Sequence, residues 1–325
     1  MAADDVPEIG IVIYPGAQIA AVLGLTDLFA VAEDLAGQKQ KAGDARLLRV
    51  SHWQKSCEAE SPVRVFDTHP GSMGSPSVLI LPPALGEPVS GETAALYSDW
   101  LREKHSEGIT LASVCAGALV LAQSGVLAGR TVTTHWAYGE ILRARFPDLG
   151  HVETDRLIID DGDVITAGGV MAWTDLGLKL VDRFLGPTIM VETARHLLVD
   201  PPGREQRYYS TFSPRFTHGD AAVLKVQHWL QATEAKDIGL PTLAAQAGLE
   251  ERTFLRRFQK ATGLTSTEYY QRLRVGKAQE LLQFSTLAVD RVAWEVGYAD
   301  PSAFRKVFMR IVGLTPTEFR RRFRA

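Results

Sequence analysis

The chain is 325 residues long, with 46% hydrophobic and 22% charged residues and a formal net charge of −3. That length exceeds one ordinary core and suits two, and the composition excludes disordered, collagen-like and low-complexity chains. No run approaches the roughly 18 to 20 apolar residues of a membrane span, and the opening MAADDVPEIG is acidic, unlike a basic-then-apolar leader; the expectation is a cytoplasmic protein without a membrane partner.

In chain order, IGIVIY (9–14), RLLRVS (46–51), SVLILP (77–82) and ITLASV (109–114) read as strands, with LTDLFAVAEDLA and TAALYSDWLREKHSE as helical patterns between them. A further strand pair at RLIIDDGDVITAG precedes helices over 170–184 and 187–198. Strands that are apolar throughout and separated by helices predict a doubly wound α/β domain, a parallel sheet covered on both faces.

Within ITLASVCAGALVLAQSG, Cys115 directly follows an apolar strand and opens a helix through Ala116, Gly117 and Ala118. Small neighbours let the chain turn sharply, and a helix N-terminus lowers a thiol pKa and presents N–H groups to an oxyanion. Such a cysteine reads either as a nucleophile or as a small buried hydrophobe. Cys57, in HWQKSCEAES, has no chemical context, and two cysteines are too few for a disulfide framework or a cysteine-only zinc site. The eight histidines are scattered: His135, His151, His196 and His218 show no pair of histidines at i,i+4 spacing with an acidic partner, and neither GxxxxGK[ST] nor GxGxxG occurs. No metal and no cofactor is expected.

Beyond residue 199 the run DPPGREQRYYSTFSPRFTHGD loses all period, which predicts a linker over 200–218 between domains at 1–199 and 219–325. Charge divides similarly: residues 1–215 carry −9 and residues 216–325 carry +6. A basic module joined to an acidic one suits a polyanion-binding domain with a separate sensing or catalytic domain.

The stretch 243–269 repeats at 292–319, pairing Ala244 with Ala293, Gly248 with Gly297, Phe254 with Phe304, Phe258 with Phe308, Gly263 with Gly313, Thr265 with Thr315 and Glu268 with Glu318. A repeat of this length marks a duplicated supersecondary unit, and each copy reads as helix, glycine-containing turn and second helix. Phe254, Phe258 and Ala261 form an apolar stripe, with Arg252, Leu255, Arg256 and Gln259 on the opposite face; Phe304, Phe308 and Ile311 repeat the stripe, with Ser302, Arg305, Lys306 and Met309 facing out. Joined by a long helix over 266–284, two such faces suit successive major grooves about 34 Å apart. Lys260 and Arg310 suit phosphates.

The segments RTFLRRFQKATGLTSTEYYQRLRVGKAQELL and VAWEVGYADPSAFRKVFMRIVGLTPTEFR resemble the DNA-binding domain of AraC/XylS transcription regulators, over 220–323. The resemblance implies base contacts by Arg252, Leu255 and Arg256 in the first recognition helix and by Ser302, Arg305 and Lys306 in the second. Glu250 departs from it, standing where many relatives place a capping Ser, and Glu is the poorer N-cap.

The segments IGIVIYPGAQIAAVLGLTDLFAVA, SVCAGALVLAQSGVLAGRTVTTHW and TAGGVMAWTDLGLKLV resemble the PfpI-type superfamily, which includes class I glutamine amidotransferase-like domains and isonitrile hydratases, over 8–198. This resemblance implies a flavodoxin-like parallel sheet sandwiched by helices, ahead of an all-α domain of two helix-turn-helix units. Three parts depart from the enzymatic members: Ala21 replaces the acidic residue beside the thiol, Ala116 stands where peptidases have His, and Pro83 replaces a common Gly, removing an N–H from the oxyanion site. Cys115 is then a vestigial nucleophile position in a non-catalytic relative. His135, in TTHW, matches a pocket-lining stretch of related hydratases; a Cys115–His135 dyad and a structural histidine both stay open, with Asp27 and Asp175 the nearest acidic candidates. A ligand pocket is expected at Ala21, Pro83, Cys115, Ala116, His135 and Gly169, with Leu23 alongside. The function so implied is a sequence-specific transcription regulator whose amino-terminal domain senses a small molecule without catalysis. The implied partners are double-stranded promoter DNA, a small-molecule effector, RNA polymerase and a second copy of the chain as homodimer. The competing readings are an active cysteine hydrolase or hydratase fused to DNA-binding helices, and a protein-docking module.

Overall fold

The computed structural model describes residues 6–40, 47–56, 59–71, 74–201, 203–235 and 238–324, so Cys57 lies outside the described residues. The chain divides into two compact units, Met1–Gln206 and Arg207–Ala325.

The amino-terminal unit runs β1 (Glu8–Ile13), α1 (Ile19–Gln40), β2 (Arg49–Gln54), β3 (Val63–Asp67), β4 (Val78–Leu81), α2 (Gly91–Ala95), α3 (Ser98–Ser106), β5 (Thr110–Val114), α4 (Gly117–Gln123), β6 (Thr131–Val132), α5 (Gly139–Arg145), β7 (His151–Val152), β8 (Ile158–Asp160), β9 (Val164–Ala167), α6 (Trp173–Leu185) and α7 (Pro187–His196). Its main sheet has the order β3-β2-β1-β4-β5-β9-β8. The five central strands are parallel, and their apolar runs are buried because helices cover both faces: Val78 to Leu81 are completely inaccessible. β1 crosses to β2 in one direction along the sheet and β4 crosses to β5 in the other. Right-handed crossovers therefore place α1 on one face and α2–α3 on the opposite face. Helices α6 and α7 pack with α1, and α4 packs with α2 and α3.

Two features were not visible in the sequence pattern. The edge strands β3 and β8 are antiparallel, making the sheet mixed. The expected helix over TAALYSDWLREKHSE breaks at Leu96–Tyr97 into α2 and α3, with the Ser90 side chain capping α2 by accepting the Thr93 N–H.

The carboxy-terminal unit runs α8 (Ala221–Ala232), α9 (Leu240–Ala247), α10 (Glu251–Thr262), α11 (Ser266–Phe284), α12 (Val289–Glu295), α13 (Pro301–Val312) and α14 (Pro316–Phe323). It holds two separate cores. Val223, Leu230, Leu243, Phe254, Phe258 and Tyr269 form one, and Val275, Leu282, Val292, Phe304, Phe308 and Phe319 form the other, so α11 contributes to both. The duplication is visible down to the caps: Thr265 with Glu268 and Thr315 with Glu318 each form a complete capping box, starting α11 and α14 alike. Gly263 and Gly313 end α10 and α13 at φ of 75° and 81°, a left-handed turn suited to glycine.

Candidate functional site

At the β1/β4 switch point, where open α/β sheets usually leave a crevice, this chain stitches the two loops together. Gln18 N–H donates to the Pro83 carbonyl at 2.7 Å, Leu85 N–H to the Gly16 carbonyl at 3.2 Å, and the Tyr14 hydroxyl to the Pro82 carbonyl. Pro83 offers no N–H here, and its carbonyl is occupied. The Gln18 Oε1 is buried and has no hydrogen-bond partner among the described residues.

Cys115 follows at the end of β5. Its φ of +54° is unusual for a residue with a Cβ, costs on the order of 1–2 kcal/mol, and is held by three backbone anchors. Its N–H donates to Ala167 at 2.8 Å, and its carbonyl accepts from the Thr134 hydroxyl at 2.7 Å and from Ala118 N–H at 3.2 Å. Gly117 has no room for a Cβ, which would collide with the Leu81 and Pro82 carbonyls. This is the sharp strand-to-helix turn that the small residues predict.

Of the two readings of this cysteine, the buried one describes its surroundings. The thiol is fully buried, and burial pushes its pKa up to about 11 despite the hydrogen bond from Ala116 N–H. The helix terminus does not win, because desolvation of the thiolate outweighs one N–H contact from a seven-residue helix. Burial beside Cys115 and Tyr97 raises the Tyr14 hydroxyl as well, so the phenol at the elbow is also neutral.

His135 is half-buried, and burial holds its imidazole below the ordinary range. Its Nδ1 accepts the Ala137 N–H at 3.1 Å, which leaves the ring proton on Nε2, and its ring lies 5.2 Å from Trp136 and 5.6 Å from Tyr138. Among the described residues no hydrogen bond joins His135 to Cys115. Neither acidic candidate orients it. Asp27 is exposed, and Asp175 is bound by Arg204, whose Nε donates to Oδ1 at 3.1 Å.

Of the other expected pocket residues, Ala21 and Ala116 are buried, Pro83 lies in the stitched loop and Gly169 is half-buried, whereas Leu23 is 54% exposed. Two cavities among the described residues lie elsewhere. One, of about 420 Å³, is lined by β8 and α6 with Gly203, Arg204 and Glu205; the other, of about 560 Å³, lies beside α11.

Sequence reading placed Gln206 in the linker, and the structure places it in the wall of the elbow. Its side-chain oxygen accepts the Trp136 N–H at 3.1 Å, and its Nε2 donates to Thr133 Oγ1 at 3.0 Å and to the carbonyls of Thr134 at 2.9 Å and Arg156 at 3.0 Å. Gly168 admits it by lacking a Cβ. A lone glutamine in a Pro/Gly/Arg-rich run carries no pattern that would reveal this.

In the carboxy-terminal unit the residues expected to face outward on α10 and α13 do so. Arg252, Leu255, Arg256 and Gln259 are exposed, as are Ser302, Arg305, Lys306 and Met309, while Phe254, Phe258, Phe304 and Phe308 are completely buried beneath them. The two helices start differently. Asp300 caps α13 by accepting the N–H groups of Ser302 at 2.8 Å and Ala303 at 3.1 Å, with Pro301 in the first turn. Glu250 makes no side-chain cap on α10. Arg305 pairs with Asp290 on α12, and Arg310 donates to Gln271 Oε1 at 2.5 Å. Arg257 instead faces the scaffold, bonding Asp220 at 2.9 and 2.7 Å. The exposed cations suit guanine edges and phosphates.

The DJ-1/PfpI family model matches residues 72–183, and a helix-turn-helix domain model matches residues 243–322. The HTH-type transcriptional regulator GlxA of Rhizobium meliloti is 28% identical over 240 residues, covering 73% of this chain and 73% of its own. The HTH-type transcriptional regulator CdhR of Pseudomonas aeruginosa is 28% identical over 237 residues, covering 72% of this chain and 69% of its own. Isonitrile hydratase of Pseudomonas putida is 36% identical over 97 residues, covering 30% of this chain and 39% of its own. With an α/β elbow domain ahead of two outward-facing helices, the chain joins a DJ-1/PfpI-type segment to an AraC-type helix-turn-helix domain, and over about 70% of its length it is similar to HTH-type transcriptional regulators.

Proposed function

We propose that this regulator reads promoter DNA through Arg252, Leu255 and Arg256 on α10 and Ser302, Arg305 and Lys306 on α13, and that its amino-terminal unit is a non-catalytic small-molecule sensor. The sensor site is the elbow bounded by Ala21, Pro83, Cys115, Ala116, His135 and Gly169. The observation that carries the reading is the state of Cys115: fully buried, protonated at physiological pH, and joined to no base. A nucleophilic thiol needs the reverse, a depressed pKa and an adjacent base.

Support for ligand binding comes from the buried Gln18 and Ser113 side-chain oxygens, which have no partner in the described structure; such groups ordinarily find one. Gln206 supplies the connection. It is the last residue of the amino-terminal unit and is bonded to both Thr134 and Trp136, so a ligand that moves the His135 segment also moves the chain entering the DNA-binding unit. The regulator works in the cytoplasm as a homodimer, with RNA polymerase as the partner of the DNA-bound form.

The test is a thermal-shift screen of the full chain against amino acids, quaternary amines and other small catabolites, joined to DNA binding. A compound that raises the unfolding midpoint and changes DNA affinity, without turnover, is the expected result. Turnover of an isonitrile by the unmodified chain, lost in Cys115→Ser, would overturn it in favour of an enzyme fused to a DNA-binding domain.

A further inference from the structure

Two independent cores hold the two recognition helices, and their separation on DNA depends on whatever joins those cores. The shared helix α11 passes from Tyr269 and Leu273 in the first to Val275 in the second, with Arg274 between them. Its Nε donates to the carbonyl of Ala235, beyond the end of α8, at 2.9 Å, and its guanidinium lies 5.4 Å from the Tyr270 ring and 5.3 Å from the Tyr298 ring of the second helix-turn-helix turn. Both attachments are built for it. Ala235 adopts φ of +51°, and Gly297, at φ of +85°, lies so close that an added Cβ would stand 3.1 Å from the guanidinium carbon. One charged side chain thus bonds the first subunit of the repeat and stacks on the second.

A second tie runs alongside. Residues 207–216 strap both halves: Tyr209 accepts a hydrogen bond from Arg322 at 2.7 Å beside α14, while Phe212 packs edge-on against Tyr269 at 5.2 Å in the first core.

Resting on the DNA-reading role of α10 and α13 above, we propose that Arg274 is a positioning residue that sets the spacing between the two recognition helices, so that the chain accepts its two DNA half-elements at one separation only. Two readers held rigidly act as a chelate, which gains affinity only where both can engage together.

The experiment uses the full chain and a duplex that it has selected from a randomised pool. That duplex is compared with versions carrying one base pair more or fewer between the half-elements, and with a duplex keeping a single half-element. For the unaltered chain, each spacing change lowers affinity by about tenfold or more. Arg274→Ala is expected to lose about tenfold on the selected duplex, to show little further loss on the respaced ones, and to bind the single half-element as the unaltered chain does. Arg274→Lys, which keeps a cation over the tyrosine rings, recovers part of the spacing dependence.

Unchanged spacing dependence in Arg274→Ala overturns the proposal. If that variant loses half-element binding or helicity, Tyr298→Leu decides instead: it removes the ring on which the Arg274 guanidinium stacks in the second half, and an unaltered spacing profile there overturns the proposal as well. Failure of the unaltered chain to select any sequence, or to weaken steeply with salt, overturns the DNA reading itself and this inference with it.

Discussion

The Thr134 hydroxyl donates to the carbonyl oxygen of Cys115 at 2.7 Å, and so holds the strained turn from outside its own strand. Thr134→Val keeps the shape and removes the bond, leaving that carbonyl with the longer contact from Ala118 N–H. The expected loss is about 1–2 kcal/mol in urea unfolding, with Thr134→Ser retaining most of the original stability. Equal stability in the valine variant would show that the turn is held by other means.

Gln206→Leu strands the Trp136 N–H and removes the donor to two carbonyls. Each buried group left unsatisfied costs about 1–3 kcal/mol, so the amino-terminal unit should melt well below the unaltered chain. Gln206→Glu is more informative. A carboxylate cannot donate to the Thr134 and Arg156 carbonyls, but its protonated form can, so its native pKa is raised. Its stability deficit should shrink as pH falls and grow as pH rises; a deficit independent of pH would count against the donor role.

The thiol makes a prediction of its own. Cys115 is raised from its ordinary 9.0 to about 11, so between these values the unfolded chain releases a proton that the native chain keeps. Stability contributed by the neutral thiol is therefore complete below pH 9 and lost as pH rises towards 11, at roughly 1.4 kcal/mol per unit. Comparison with Cys115→Ala isolates this slope from that of the tyrosines. In the same range, alkylation by iodoacetamide should stay slow in the native chain and become fast on unfolding. Rapid native alkylation near pH 7 would mean an accessible thiolate and would revive the enzyme reading.

Glu250→Ser gives α10 the side-chain cap that it lacks and that Asp300 already supplies to α13. Stabilisation of about 0.5–2 kcal/mol is expected in the carboxy-terminal unit, measured as a shift of its thermal midpoint. No shift would mean that the N-terminal turn of α10 is satisfied by another route.

At the DNA face, Arg256→Ala and Lys306→Ala should each cost about 1–3 kcal/mol on the selected duplex and relax base choice at one position. Lys260→Ala should weaken binding to all sequences alike and lower the salt slope. Asp290→Ala releases Arg305 from an exposed ion pair worth at most about 1 kcal/mol, so its affinity gain should be small. Competition titrations with mismatched duplexes check all four.

What was legible in the sequence follows from how local each signal is. The stripes Phe254–Phe258 and Phe304–Phe308 repeat with a helical period, and a helix has only one way to bury them, so the outward residues were determined at the same time. The elbow was legible too, because small residues after an apolar run admit few turns. The protonation state of Cys115 was not, since it depends on how much of the sheet and of the Tyr14 loop excludes water from the thiol. Strand β3, with Val63, Val65 and Phe66 all partly exposed, has a partner on one side only and shows no alternation to read. Gln206 escaped for a third reason: its four hydrogen bonds reach residues 50 or more positions away, and three of the four bonded atoms belong to the backbone, which leaves no trace in side-chain patterning.

Gln206 is fastened into the amino-terminal unit, while Tyr209 and Phe212, a few residues further on, bond and pack within the carboxy-terminal one. For anyone building chimaeras from this regulator, the natural cut therefore falls between Gln206 and Tyr209 and not in the glycine-containing stretch before α8. A DNA-binding module excised at residue 219 would leave behind Tyr209 and Phe212, and with them half of what ties its two readers together. A sensor module ending at residue 199 would lose Arg204 and Gln206, exposing Asp175 and the Thr134 carbonyl to water.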